Sequence, residues 1–208
     1  MRPRSRYRID SEYLILTLDN WDRLMRFHVN LIACGGTALT LMGIKESTKD
    51  VDFTVPVETE HDRLLKFLRD LGYQEKGGGW AHPDDPYFIF QFWRGNRVFT
   101  TNLLNPPLEA GRHVMIKNWH HIYLGALNLV DLITTKMFRG TSVDIEDSIA
   151  AFATGQVEAN ILFRDYSRAA QYDLNPEKMM QNFSHLVERL HARRLVGDDF
   201  LEKVKAET

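Results

Sequence analysis

Leu14, Leu18, Trp21, Leu24 and Met25 recur in three- and four-residue steps, a period that predicts a helix over Ser11 to His28. The short apolar run Val29 to Cys34 predicts a buried strand, broken by Gly35-Gly36. Thr37 to Met42 predicts a short helix that ends near Gly43. After the polar link Lys45 to Lys49, the segment Val51-Asp52-Phe53-Thr54-Val55 alternates as a strand. Glu58 to Leu71 predicts an amphipathic helix, with Leu64, Leu65, Leu68 and Leu71 on one side and a stop at Gly72.

Gly77-Gly78-Gly79 and Pro83-Asp84-Asp85-Pro86 predict a loop. Two apolar runs follow, Tyr87 to Trp93 and Val98 to Leu104, with Arg94-Gly95-Asn96-Arg97 as the turn of a hairpin. Val114 to Ile116 and His121 to Tyr123 predict minor strands. From Asn128 the pattern is helical to the end, over 128–138, 143–154, 157–171, 175–194 and 197–206, and Asn175-Pro176 suits a helix start. This order predicts an α+β fold, a small mixed sheet flanked by helices with a C-terminal helical extension. The expected organisation is an N-terminal helix over 1–28, a core over 29–155 and a helical region over 156–208.

The 208 residues are 44% hydrophobic and 26% charged, enough to bury a core without disulfides or structural metals. A single cysteine, Cys34, excludes an internal disulfide and a thiolate zinc cluster, and fits a reducing cytoplasm. No apolar stretch is long enough to span a bilayer, and no signal-type run follows the first arginines, so no membrane partner and a cytoplasmic location are expected. The net charge of -2 confines any polyanion contact to local patches. Two candidates are Arg2, Arg4, Arg6 and Arg8, and the run Arg189, His191, Arg193, Arg194; a solvated terminus and a solvated helix face are the plainer alternatives.

The stretch from Leu31 to Phe53 carries the candidate chemistry. A strand ends in Gly35 and Gly36 and a helix begins directly after. Glycines let backbone approach a ligand closely, and the first N–H groups of a helix suit a phosphate, with the Thr37 hydroxyl as a further contact. Asp50 and Asp52, two apart on the predicted strand, would share a face. Like charges held side by side are costly unless a cation lies between them, and an oxygen-only pair suits Mg²⁺, which one or two carboxylates and substrate phosphates usually hold. Asp-x-Asp on a strand edge and Gly-Gly in a packing turn are each common; the combination, with 13 residues between Gly36 and Asp50, is the stronger signal.

Gly-Gly-Thr-Ala-Leu…Gly…Ser-Thr-Lys-Asp-Val-Asp-Phe resembles the signature of the polymerase-beta-type nucleotidyltransferase superfamily, and more narrowly the minimal nucleotidyltransferases similar to the abortive-infection toxin family. The resemblance implies a nucleotidyltransferase core that moves a nucleoside monophosphate from a nucleoside triphosphate to a hydroxyl on RNA, protein or a small molecule. It implies phosphate contacts at Gly35, Gly36 and Ser47, and Mg²⁺ on Asp50 and Asp52. A second segment, Leu129 to Arg139 followed by Ser142 to Asp147, is similar to the family's later helix pair, in which a lysine, here Lys136, meets the triphosphate. Ion pairing of Lys136 and Arg139 with Asp144 or Asp147 is the alternative. The toxin resemblance also implies a partner protein on the C-terminal helices, as in a toxin–antitoxin pair.

One feature departs from that pattern. The superfamily's third carboxylate, on a later strand, has its natural slot in Val98 to Leu104, where Asn102 stands. Asparagine can coordinate a metal but takes no proton at neutral pH, and Thr100 on the same face is no better. His113, His120 and His121 are alternative bases. Trp80, Trp93 and Trp119 are candidates to stack on a nucleobase, though aromatics in such runs usually fill cores. A regulatory or toxin–antitoxin protein that keeps nucleotide binding and loses catalysis is therefore the competing expectation.

Overall fold

The computed structural model describes residues 8–207 and divides into two compact units, Met1–Leu127 and Asn128–Thr208. In the first unit α1 (Ser11–Leu24) starts at Asp10, whose carboxylate accepts from Tyr13 N. It stops four residues earlier than the apolar pattern predicts, because Met25 is already extended. There follow β1 (Val29–Ala33), α2 (Gly35–Leu41), β2 (Val51–Val55) and α3 (Glu58–Asp70). The rest of the unit is strand: β3 (Gln74–Lys76), β4 (Gly79–His82), β5 (Asp85–Arg94), β6 (Arg97–Val98), β7 (Thr101–Asn102), β8 (His113–Asn118) and β9 (Ile122–Leu127).

Seven strands form one mixed sheet in the order β3-β4-β5-β2-β1-β9-β8. Strand β1 runs antiparallel to β2 and parallel to β9, and β2 runs parallel to β5. The register sorts the side chains. Asp52 pairs with Gln91 and Thr54 with Trp93 on one face, while Phe53 pairs with Phe92 on the other. That second face is where α1 packs, setting Trp21 with its ring centroid 5.0 Å from that of Phe90 and 6.4 Å from that of Phe92.

Three expectations change. The predicted loop around Gly77 to Pro86 is a hairpin of β3 and β4 that leads into β5. Val98 to Leu104 is not one strand, because Phe99 turns back at φ 54° and closes the small two-stranded sheet β6-β7. The supposedly minor strands β8 and β9 are six residues each, and β9 lies between β1 and the edge strand β8. The mixed sheet and flanking helices are as expected.

The second unit is helical: α4 (Leu129–Arg139), α5 (Ser142–Phe152), α6 (Ala159–Ala170), α7 (Pro176–Ala192) and α8 (Asp198–Ala206). Side chains of Asn128, Thr141 and Asn175 cap α4, α5 and α7, and Pro176 occupies the first turn of α7. Phe183 stacks between Phe163 and Tyr166 at the core. Helices α4 and α5 pack against each other and against α7, and this compact unit begins at Asn128. Among the described residues, no helix is long and apolar enough to cross a membrane.

Candidate functional site

The turn from β1 into α2 meets the start of β2. The first helical bond of α2 runs from Ala38 N to Cys34 O, so the N–H groups of Gly35, Gly36 and Thr37 lie ahead of the ladder. Gly35 sits at φ 57°, a conformation that suits glycine. A Cβ built there would meet Asp52 Oδ2 at 2.6 Å, and one on Gly36 would meet Thr48 Oγ1 at 2.6 Å. Both glycines are therefore required by close approach to the acidic segment. Among the expected phosphate contacts, Gly35 lies beside Asp52 and Gly36 beside Thr48.

Asp52 is 5% exposed and lies on β2. Asp50 is exposed and lies in the bend just before the strand, one residue outside the predicted element. Strand alternation alone therefore does not set its side-chain direction; local hydrogen bonds hold its backbone. Thr37 Oγ1 accepts from Asp52 N at 2.9 Å and donates to Asp50 O at 3.2 Å. Thr48 Oγ1 also donates to Asp50 O, at 3.0 Å. Thr37 is fully buried, and its hydroxyl holds the backbone of the acidic segment at both Asp50 and Asp52. Thr48 was not legible as a site residue, because a threonine in a polar link carries no periodic signal.

Ser47 is half-buried, and its Oγ accepts from Arg8 Nε at 2.7 Å. Ile9 and Thr48 bridge their backbones at the same point, so the chain ahead of α1 is tied to the loop ahead of Asp50. Arg2, Arg4 and Arg6 lie outside the described residues. Three of the four residues in the other basic run are in ion pairs: Arg189 and Arg193 reach Glu146 at 2.6 and 2.8 Å, and His191 reaches Asp198 at 2.7 Å.

Asn102 belongs to the two-stranded sheet β6-β7, paired with Arg97, and not to a strand hydrogen-bonded to β2. The residue in register with Asp52 on the neighbouring strand is Gln91. It is half-buried, and among the described residues its carboxamide makes no hydrogen bond. Sequence alone could not find it, because the pairing of β2 with β5 crosses α3 and the β3-β4 hairpin.

In the second unit Lys136 is 2% exposed, with Nζ 2.8 Å from Asp147 Oδ2 and 3.6 Å from Asp144 Oδ1. Arg139 bonds Asp144 Oδ1 at 2.5 Å, and Thr141 Oγ1 donates to Asp144 Oδ2 at 2.7 Å. The ion-pair alternative thus describes how both basic residues are held.

The histidines have local duties. His113 Nδ1 donates to Pro107 O at 2.7 Å, and its Nε2 lies 2.7 Å from Tyr123 Oη. The rings of His120 and His121 contact each other, and the backbone N–H of His121 donates to Asp22 Oδ1. Trp80 lies under Arg69, Trp119 donates to Asp19 Oδ1, and Trp93 packs on Phe99.

Among the described residues no group of three or more His, Cys, Asp or Glu gathers to hold a metal. A carboxylate pair is enough where substrate phosphates complete the shell of a Mg²⁺ ion. The cleared approach of Gly35 to Asp52 Oδ2 fits that arrangement, since a side chain at Gly35 would occupy the space beside the carboxylate.

No protein-family model matches the chain, and no curated protein does. Among solved structures it is similar to the antibiotic-resistance factor ANT(2'')-Ia, at 14% identity and a TM-score of 0.46, over 86% of this chain and 98% of that one.

Proposed function

We propose that this protein is a Mg²⁺-dependent nucleotidyltransferase, with Asp50 and Asp52 as its metal carboxylates and the Gly35-Gly36 turn as its phosphate contact. The observation that carries the reading is the absent Cβ of Gly35 against Asp52 Oδ2, 2.6 Å away. It joins Gly35 to Asp52, one residue from each half of the sequence resemblance. In the reaction an acceptor hydroxyl oxygen bonds to the α-phosphorus of a nucleoside triphosphate. The bond from that phosphorus to the bridging oxygen breaks, pyrophosphate leaves with the electron pair, and the acceptor proton passes to solvent. Bound Mg²⁺ would supply charge neutralisation for the carboxylates and the triphosphate. Thr37 and Thr48 hold the backbone of the acidic segment in place.

The test is calorimetric titration with each nucleoside triphosphate in Mg²⁺, comparing wild type with Asp50→Ala and Asp52→Ala. The expected outcome is saturable binding by wild type, weakened at least about tenfold in both variants, as the loss of a charge-assisted contact implies. Equal binding in all three proteins, or none in wild type, removes the reading.

A second reading is favoured by Gln91, a neutral residue in register with Asp52 where an acid would serve as base. On it, the protein binds the triphosphate and does not transfer it, as in a regulatory or toxin–antitoxin role. Transfer of label from an α-labelled triphosphate to RNA, protein or small molecules of a cell extract separates the two.

A further inference from the structure

A cleft of about 250 Å³ opens where the end of α1 meets α3, lined by Leu24, Arg26, Phe27, Arg63, Lys66, Phe67 and Asp70. It belongs to the layer that α1 forms over Phe90 and Phe92, on the face of the sheet opposite Asp52 and Gln91. Two observations about its lining do not follow from packing. The first is charge: three cations face one carboxylate, in a chain whose formal net charge is -2. Among the described residues Arg63 and Lys66 make no hydrogen bond and no ion pair, although acidic side chains are plentiful on the same helix and Asp62 is spent on Arg94. The second is the floor. Phe27 and Phe67 meet edge to face with centroids 6.1 Å apart, both half-exposed, and Leu24 beside them is 57% exposed. Among the described residues, only Arg26 of the three cations is held, donating to Met25 O at 2.9 Å, and exposed apolar surface rimmed by polar groups marks an interaction site.

We propose that this cleft binds single-stranded nucleic acid, with one base against Phe27 and Phe67 and the flanking phosphates on Arg26, Arg63 and Lys66. Base stacking on aromatic side chains and a cationic track for the backbone are the two components such binding needs. The volume suits one base and is too small for the side of a helix, which sets nucleic acid above an acidic peptide. The site is separate from the triphosphate reading and stands or falls without it.

The probe is a fluorescein-labelled ten-nucleotide RNA, followed by anisotropy with the full chain. Three cation contacts give a slope of log K against log salt of about -2 for a single strand. The variant Arg26→Gln/Arg63→Gln/Lys66→Gln should weaken binding at least tenfold and flatten the slope. Phe67→Leu, which keeps an apolar side chain at a half-exposed site, should weaken it about fivefold with the slope unchanged, as loss of one stacking contact of about 1 kcal/mol implies. Thermal melts of both variants check that they fold. The proposal is overturned if wild type does not bind at 50 mM salt, or if the triple variant binds equally. It is also overturned if Phe67→Leu has no effect while polyglutamate competes as well as RNA does, because the cleft is then a plain cationic surface.

Discussion

A Cβ on Gly35 would stand 2.6 Å from Asp52 Oδ2, nearer than side-chain carbons pack. The contact links the end of β1 to the second residue of β2, and it makes Gly35→Ala a test of the site's geometry. The left-handed backbone at φ 57° costs an alanine about 1–2 kcal/mol by itself, and the clash adds to it. The melting temperature of Gly35→Ala should fall by several degrees. The double variant Gly35→Ala/Asp52→Ala should recover the part due to the carboxylate, a coupling of about 0.5–3 kcal/mol. Strict additivity of the two substitutions in urea denaturation would show that the glycine is not shaped by Asp52.

Gln91 supplies a gain-of-function test. It stands in register with Asp52, on the same face of a neighbouring parallel strand. Adjacent strands lie about 4.8 Å apart, so a carboxylate at position 91 would enlarge the acidic cluster. Without metal, Gln91→Glu should lower stability through like-charge repulsion. With Mn²⁺ it should bind the ion about tenfold more tightly than wild type, since affinity for hard cations rises with ligand charge. Calorimetry with Mn²⁺ alone and melts with and without the ion measure both effects. If Mn²⁺ affinity is unchanged, Gln91 does not face the metal carboxylates.

Lys136 and Asp147 form a buried pair at 2.8 Å, with side chains 3% and 11% exposed. Asp144 keeps Arg139 and Thr141 when the lysine is removed, so Asp147 is the group that Lys136→Met strips of its lysine. Breaking such a pair costs about 3–5 kcal/mol, whereas replacing both members with apolar residues is often neutral. Lys136→Met should therefore be strongly destabilised in urea, and Lys136→Met/Asp147→Leu should recover most of the loss. A lysine whose main duty is the triphosphate would give a different result: near-native stability in the single variant and lost nucleotide binding.

The elements with one clear period were legible in the sequence: α1, β1, β2, α3 and the five C-terminal helices, along with the glycine pair and the acidic pair. Hydrophobic spacing is local, and these features depend on local spacing. What was not legible depends on pairing between distant segments. β9 reads as a minor strand because its place beside β1 is made by residues 93 positions away, as in the pairing of Val29 with Ile122. Asn102 reads as the third position of the site only if Val98 to Leu104 is one continuous strand. Phe99 at positive φ breaks that run, and the strand beside β2 proves to be β5, which puts Gln91 opposite Asp52. Likewise the two backbone partners of the Thr37 hydroxyl in the acidic segment are not legible from local spacing.

Alkaline pH probes the helical unit. Burial pushes the Tyr166 phenol well above its ordinary range, and the Asp173 charge adds to the shift. Its hydroxyl donates to Met179 O at 2.6 Å. The folded state therefore holds this proton more tightly than the unfolded chain, whose tyrosines ionise near pH 10. The sign follows: the stability contributed by protonated Tyr166 is fully present below about pH 10 and is lost as pH rises toward the folded value, by about 1.4 kcal/mol per pH unit. Burial also raises Tyr73, against the opposing bond from Trp21 Nε1, so the first unit shares the trend. Urea denaturation followed by circular dichroism at pH 8, 10 and 11 should show falling stability above pH 10. Tyr166→Phe should be less stable at pH 8 by about 1–3 kcal/mol, because Met179 O loses its donor. Its decline above pH 10 should be shallower by about the one-proton slope. Parallel declines in wild type and variant would mean that Tyr166 ionises in the folded protein as it does in the unfolded chain.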